Sequence, residues 1–100
     1  MKKYVENAGS CIVTKSLLNS ETNFRWLFRE EPLNNIDTGW MAFGDSDNDE
    51  YVNDPKNLTV VDLNTLINIE PTILNVYEMP VGTDLIFIEE DGDKYFINAK

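Results

Sequence analysis

The sequence predicts an α+β fold: a mainly antiparallel sheet with one or two short helices and a C-terminal β-hairpin. Three observations carry that expectation. Residues 23–29 alternate, with Phe24, Trp26 and Phe28 facing one way and Arg25, Leu27 and Arg29 the other, which is the period of a strand. Two apolar runs, 84–90 and 93–98, flank Asp91-Gly92, a favoured two-residue hairpin turn. Between these regions Asp62 stands just before Leu63, Leu66 and Ile67, the pattern of an N-capped helix with one apolar face.

The other elements follow in chain order. Residues 9–15 read as a short buried strand ending at Ser16. Phe24, Trp26 and Phe28 form an aromatic core face on the second strand. Glu30-Glu31-Pro32 ends it, because Pro32 lacks a backbone donor. Asp37-Thr38-Gly39 reads as a turn, Trp40-Met41-Ala42-Phe43 as a third strand, and Gly44 as its close. The run Gly44-Asp45-Ser46-Asp47-Asn48-Asp49-Glu50 is expected to be an exposed loop flanked by strands. Asn53-Asp54-Pro55 marks another turn, and Leu58-Thr59-Val60-Val61 a fourth strand. Glu70-Pro71 opens a second helix with Ile73, Leu74 and Tyr77 as its stripe. Both helices are too short to stand alone and must dock on the sheet.

In the hairpin the turn sets Glu89 opposite Lys94, Phe87 opposite Phe96 and Ile88 opposite Tyr95. Leu85, Phe87 and Phe96 fall on one face; Ile86, Ile88, Tyr95 and Ile97 fall on the other. Both faces are apolar, so the hairpin is expected to be sandwiched or to lie at a protein interface.

At 100 residues, with 42% hydrophobic and 11% aromatic content, the chain fits one domain over residues 1–100 with one modest core. Eight Lys and Arg stand against 18 Asp and Glu, a net charge of −10. Phosphate backbones and anionic membranes would repel it, so nucleic acid and membrane are excluded as partners. A basic protein would be attracted and steered in. Residues 30–93 concentrate this charge, with sixteen acids and Lys56 as the only base. The Lys2-Lys3 start is interrupted by Glu6 and Asn7 before any apolar core, unlike a signal segment, which gives a cytoplasmic expectation.

The chain has no His. Ser-His-Asp and Cys-His catalysis and His-containing zinc sites are therefore impossible. The single Cys11 rules out an internal disulfide, and its neighbours Ile12 and Val13 mark it as a small buried hydrophobe. Asp45, Asp47 and Asp49 match the first, third and fifth positions of a calcium loop. Glu50 stands where that loop needs Gly, however, and Lys56 where it needs a bidentate Glu. A solvated loop and a protein-contact loop are the stronger readings, and no cofactor or metal is expected. Acid–base chemistry would need one carboxylate of a pair in an apolar pocket; the Asp and Glu sit mostly in polar runs and a chain this small offers little cleft, so an enzyme is not expected. Glu30 and Glu31 are candidates for local ion pairs with Arg25 and Arg29. Trp26 reads as structural, whereas Trp40 beside the acidic run is a candidate contact.

The runs Arg29-Glu30-Glu31-Pro32, Asp37-Thr38-Gly39-Trp40 and Gly44-Asp45 through Tyr51 together resemble the bacterial immunity protein 33 family. The similarity continues through Asn57, Val61-Asp62-Leu63-Asn64-Thr65 and Pro80-Val81-Gly82, spanning roughly residues 10 to 84. Residues 85–100 lie outside these motifs. The resemblance implies a non-catalytic protein of polymorphic toxin systems that neutralises a toxin, and it brings no catalytic residues. With the acidic charge it implies a basic toxin domain as protein partner. The expected contacts are Trp40, Asp45, Asp47, Asp49, Glu50 and Tyr51, then Glu30 and Glu31. The alternatives are a housekeeping regulatory or interaction domain, homodimeric through the terminal hairpin, and a divalent-cation binder or small enzyme.

Overall fold

Six strands form one sheet, and the computed structural model describes all of residues 1–100. The chain runs β1 (Ser10–Thr14), α1 (Lys15–Leu18), β2 (Phe24–Arg29), β3 (Asp37–Gly44), α2 (Asp49–Val52), a 3-10 helix (Pro55–Asn57) and β4 (Leu58–Asp62). It continues with α3 (Leu63–Ile69), a second 3-10 helix (Pro71–Asn75), β5 (Asp84–Glu90) and β6 (Asp93–Asn98). The strand order is β4-β1-β3-β2-β5-β6. Only β1 and β3 run parallel; all other neighbours are antiparallel. The architecture is thus the α+β fold with a C-terminal hairpin that the sequence predicts. No helix is long and apolar enough to cross a membrane.

α3 begins where its cap requires. The Asp62 carboxylate accepts from the Asn64 backbone N–H at 2.8 Å. Leu63, Leu66 and Ile67 are buried, and Ile73 of the following 3-10 helix joins them. They meet Cys11, Val13, Leu27, Trp40, Ala42 and Leu85 from the sheet. Each such aliphatic side chain contributes about 2 kcal/mol on burial. Asn64 ties the N-terminal segment onto α3: its Oδ1 accepts from the Tyr4 and Val5 backbone and its Nδ2 donates to the Val5 carbonyl.

The facing of β2 differs from simple alternation. Phe24 pairs with Gly44, but Trp26 pairs with Phe43, so β2 holds one extra residue at Arg25. This bulge resets the parity. Phe24 joins Leu27 on the helix-covered face, stacking on Phe87 at 5.2 Å and meeting Phe96 edge-on at 5.9 Å. Leu27 is fully buried and Trp26 is 36% exposed. The expected core face of Phe24, Trp26 and Phe28 is therefore corrected: only Phe24 lies there.

Asp37-Thr38-Gly39 does not stand outside the sheet as a turn. β1 pairs Ser10 with Asp37 yet Ile12 with Met41, so β3 bulges through these residues and continues. Gly39 takes φ +87°, and a Cβ there would clash with the Glu30 carbonyl oxygen. Two one-turn helices, α1 and α2, were not expected; Thr14 and Asn48 cap them by accepting from the Leu17 and Tyr51 N–H groups. The second expected helix is a 3-10 helix, with Ile73 buried and Leu74 37% exposed.

The hairpin pairs Glu89 with Lys94, Phe87 with Phe96 and Ile88 with Tyr95, as the Asp91-Gly92 turn dictates. One of its faces packs into the core through Leu85 and Phe87. The other belongs to a sheet face that no helix covers. The pairings align Val60, Ile12, Met41 and Phe28 in one row across that face. Phe43, Trp26, Ile86 and Ile97 form the next. None of these side chains is buried.

Gly39→Ala is expected to cost about 2–4 kcal/mol, because strain and a backbone clash coincide. That lowers the melting temperature by roughly 10 °C or more. Gly92→Ala, with φ +85° but open space around its Cβ, should cost only about 1 kcal/mol. Burial, then the Asp62 and Asp37 charges, push the Cys11 thiol up to about 12. A thiol reagent near neutral pH should leave the native chain unlabelled and modify it fully in denaturant.

Candidate functional site

The acidic run begins where β3 stops, and its members divide into inward and outward groups. Asp47 turns inward. Its Oδ2 accepts from Thr14 Oγ1 at 2.7 Å and from the Gly44 N–H at 2.6 Å. Its Oδ1 accepts from Ser16 Oγ at 2.5 Å. Ser16 has one hydroxyl proton, and the charged acceptor wins it over Thr14 Oγ1 at 3.2 Å. One carboxylate thus ties the β1–α1 junction to the end of β3.

Tyr51 reinforces the same junction. Its hydroxyl accepts from the Ser16 N–H at 3.2 Å, and the ring is half-buried. Asp45, Asp49 and Glu50 are exposed. Arg25 Nε stands 4.0 Å from Asp45 with both side chains well exposed, a pair contributing about 0–1 kcal/mol. Asp49 and Glu50 occupy the first turn of α2. The one-three-five spacing does not close into a cage, since Asp47 faces the protein. No group of three or more Cys, Asp or Glu side chains is placed to hold a metal ion.

Trp40 is not a surface residue. It is 1% exposed, its indole N–H donates to the Tyr77 carbonyl at 2.8 Å, and the Arg29 guanidinium lies 5.4 Å from its ring. The strand continues through Gly39 and carries Trp40, an expected contact, onto the covered face, where the protein encloses it. Arg29 also donates to the Thr38 and Met79 carbonyls at 2.8 and 2.7 Å. Glu30 and Glu31 are exposed and form no ion pair with Arg25 or Arg29. They also lie apart from the loop. β2 runs antiparallel to β3, with Arg29 opposite Trp40 and Phe24 opposite Gly44, so a strand length of about 15–20 Å separates them from Asp45.

The topology brings a second acidic group to the loop that linear reading missed. β5 pairs with β2 so that Trp26 faces Ile86. The hairpin tip with Glu89, Glu90, Asp91 and Asp93 therefore comes to the same end of the sheet as Asp45. Asp45, Arg25 and Glu89 line one open cleft there, with Phe24 and Phe87 at its wall. The signal was the hairpin register itself, but its neighbour in the sheet was not legible. Glu70 also lines this cleft. It is 7% exposed, and its carboxylate accepts from the Thr72 N–H and hydroxyl at 3.0 and 2.6 Å. Lys94 Nζ stands 3.5 Å from its other oxygen. Chemically, this end offers exposed negative charge on a braced frame.

Residues 11–98 match the family model described as Immunity protein Imm33 domain. The chain belongs to that family, and the match takes in the terminal hairpin that the sequence motifs left outside. No curated protein and no solved structure matches the chain.

Asp47→Asn should destabilise the protein by about 2 kcal/mol, since it weakens three hydrogen bonds to one charged group. Asp49→Asn, on an exposed carboxylate, should change stability by less than about 0.5 kcal/mol. Urea unfolding of the two variants separates the inward acid from the outward one.

Proposed function

We propose, from that membership, that this chain is a non-catalytic immunity protein. It binds a cognate bacterial toxin as a single cytoplasmic domain and uses its acidic surface to do so. The observation that carries this reading is the exposed acid at one end of the sheet. Asp45, Asp49 and Glu50 are joined there by the hairpin tip, in a chain of net charge −10. A toxin that acts on phosphate-rich or otherwise anionic substrate presents a basic surface, and opposite charge speeds encounter. Neutralisation needs occlusion of the toxin's site and no chemistry from its partner. The absence of His and the saturated hydrogen bonding of buried Glu70 fit that role.

Tyr51 and Asp47 hold the shape of the loop, and Asp45, Asp49 and Glu50 meet the partner. Glu30 and Glu31 form a separate acidic point at the opposite end of β2. The partner in this reading is a basic toxin domain.

The triple variant Asp45→Lys/Asp49→Lys/Glu50→Lys is expected to bind that toxin domain at least tenfold more weakly at low salt. Its affinity should also depend less steeply on salt. Titration calorimetry across a salt series reads both quantities. Unchanged affinity and unchanged salt dependence would remove the loop from the interface.

A further inference from the structure

We infer that the uncovered sheet face is the docking surface for the toxin domain of the preceding reading, a basic protein surface with an apolar centre; this inference rests on that reading. Three features of the face carry it.

The first is its chemistry. Two adjacent rows, Val60-Ile12-Met41-Phe28 and Phe43-Trp26-Ile86-Ile97, each carry four apolar side chains across four neighbouring strands. Val60 is 66% exposed and Ile97 43% exposed. Phe28 and Phe43 brace each other edge-to-face at 5.1 Å. Trp26 sits between Phe43 and Ile86 near the middle of the sheet. A rigid aromatic at the centre of an apolar patch is the usual anchor of a protein interface.

The second is size. Each row crosses four strands about 4.8 Å apart and the two rows lie two residues apart, which gives a patch of about 20 by 14 Å, on the order of 300 Å². That is the size of the largest apolar patch on an ordinary monomer, a patch that is often functional. It is about a third of the ~800 Å² per partner in a standard interface. The remainder must come from a polar rim.

The third is the charge of that rim. Glu90 and Asp93 pair with each other on this same face at the hairpin end, and Glu90 accepts from the Tyr95 hydroxyl at 3.3 Å. Asp84 pairs with Phe28 at the opposite end. The cations beside the face in sequence turn away from it: Arg25 donates to the Phe87 carbonyl and lines the cleft with Phe24, Arg29 lies against Trp40 and Lys94 against Glu70, all on the covered side. An apolar centre with an acidic rim complements an apolar centre with a basic rim. A second copy would bring acidic rims together, which costs rather than gains binding energy. The acidic loop starts two residues beyond Phe43, so steering and docking surfaces adjoin.

The test uses the inactivated toxin domain encoded beside this chain as probe, against wild type, Trp26→Ala and Val60→Ser/Ile97→Ser. These are surface positions, and thermal melts verify the fold of each variant. The expected result is a loss of tenfold or more in affinity with the slope against salt unchanged, because no charge is altered. Face variants that bind as tightly as wild type would overturn the docking surface and leave the immunity reading standing. A wild-type chain that fails to bind the toxin domain would overturn the immunity reading and this occupant with it. A wild-type dimer in sedimentation, made monomeric by Trp26→Ala, would assign the face to a second copy and overturn the toxin as occupant.

Discussion

Six strands present two broad faces, and the helices of this chain suffice for one. α3 has seven residues, which at about 1.5 Å each is roughly 10 Å of helix. The 3-10 helix after it adds five residues. Together they bury Leu63, Leu66, Ile67 and Ile73 against β1, β3 and β2. Beyond their reach, toward β5 and β6, the covered side is completed by Phe24, Phe87 and Phe96 packing on one another. Nothing is left in the chain to roof the opposite side. Sheets with one solvated face normally alternate apolar with polar residues. This one places Ile12, Met41, Phe43 and Ile86 outward instead, and the departure follows the strands across the whole sheet.

Several residues that resemble binding groups serve the frame. Trp40, Arg29 and the Tyr77 and Met79 carbonyls form one linked contact between the sheet and the segment leading to β5. Asp47 joins the ends of β1 and β3, and Glu70 caps a 3-10 helix while facing Lys94. In each case a polar group at the sheet margin satisfies backbone or hydroxyl groups that burial would otherwise leave unpaired. Removing such a side chain from a binding assay would report on folding as much as on contact. The separation of inward Asp47 from outward Asp45 and Asp49 is therefore a condition for reading any acidic-loop mutagenesis.

The elements most legible in the sequence were those set by local chemistry. The hairpin register follows from Asp91-Gly92, and the start of α3 follows from the Asp62 cap. The α+β class follows from counting strands against helices. What sequence could not give depends on pairing across the sheet. The bulge at Arg25 is invisible to a count of every second residue, which places Trp26 inside and Leu27 outside. By sequence Gly39 ends a turn, whereas the close approach of the Glu30 carbonyl makes it part of a bulged strand. The site shows the same boundary. The exposure of Asp45, Asp49 and Glu50 was legible from their polar run. The inward turn of Asp47 was not, because its partners Thr14 and Ser16 lie more than thirty residues away. Nor was the approach of the hairpin tip, which needs β2 as the strand between.

An apolar face of this size invites self-association, and the acidic charge opposes it. Net charge of one sign keeps identical copies apart, more so where the rim of the face carries it. The same rim accelerates a partner of opposite sign. Charge and apolar area therefore act at different stages of one encounter. In the proposed complex, long-range attraction by Asp45, Glu50, Glu90 and Asp93 would set the association rate, which salt screens. Contact by Trp26, Phe28 and Ile97 would form only on docking and set the dissociation rate, which salt scarcely touches. A partner lacking basic charge would meet the face slowly, and one lacking an apolar centre would leave it quickly. Only a surface that supplies both gains a fast and lasting complex, so the discrimination lies in the coincidence of the two features rather than in either residue set alone.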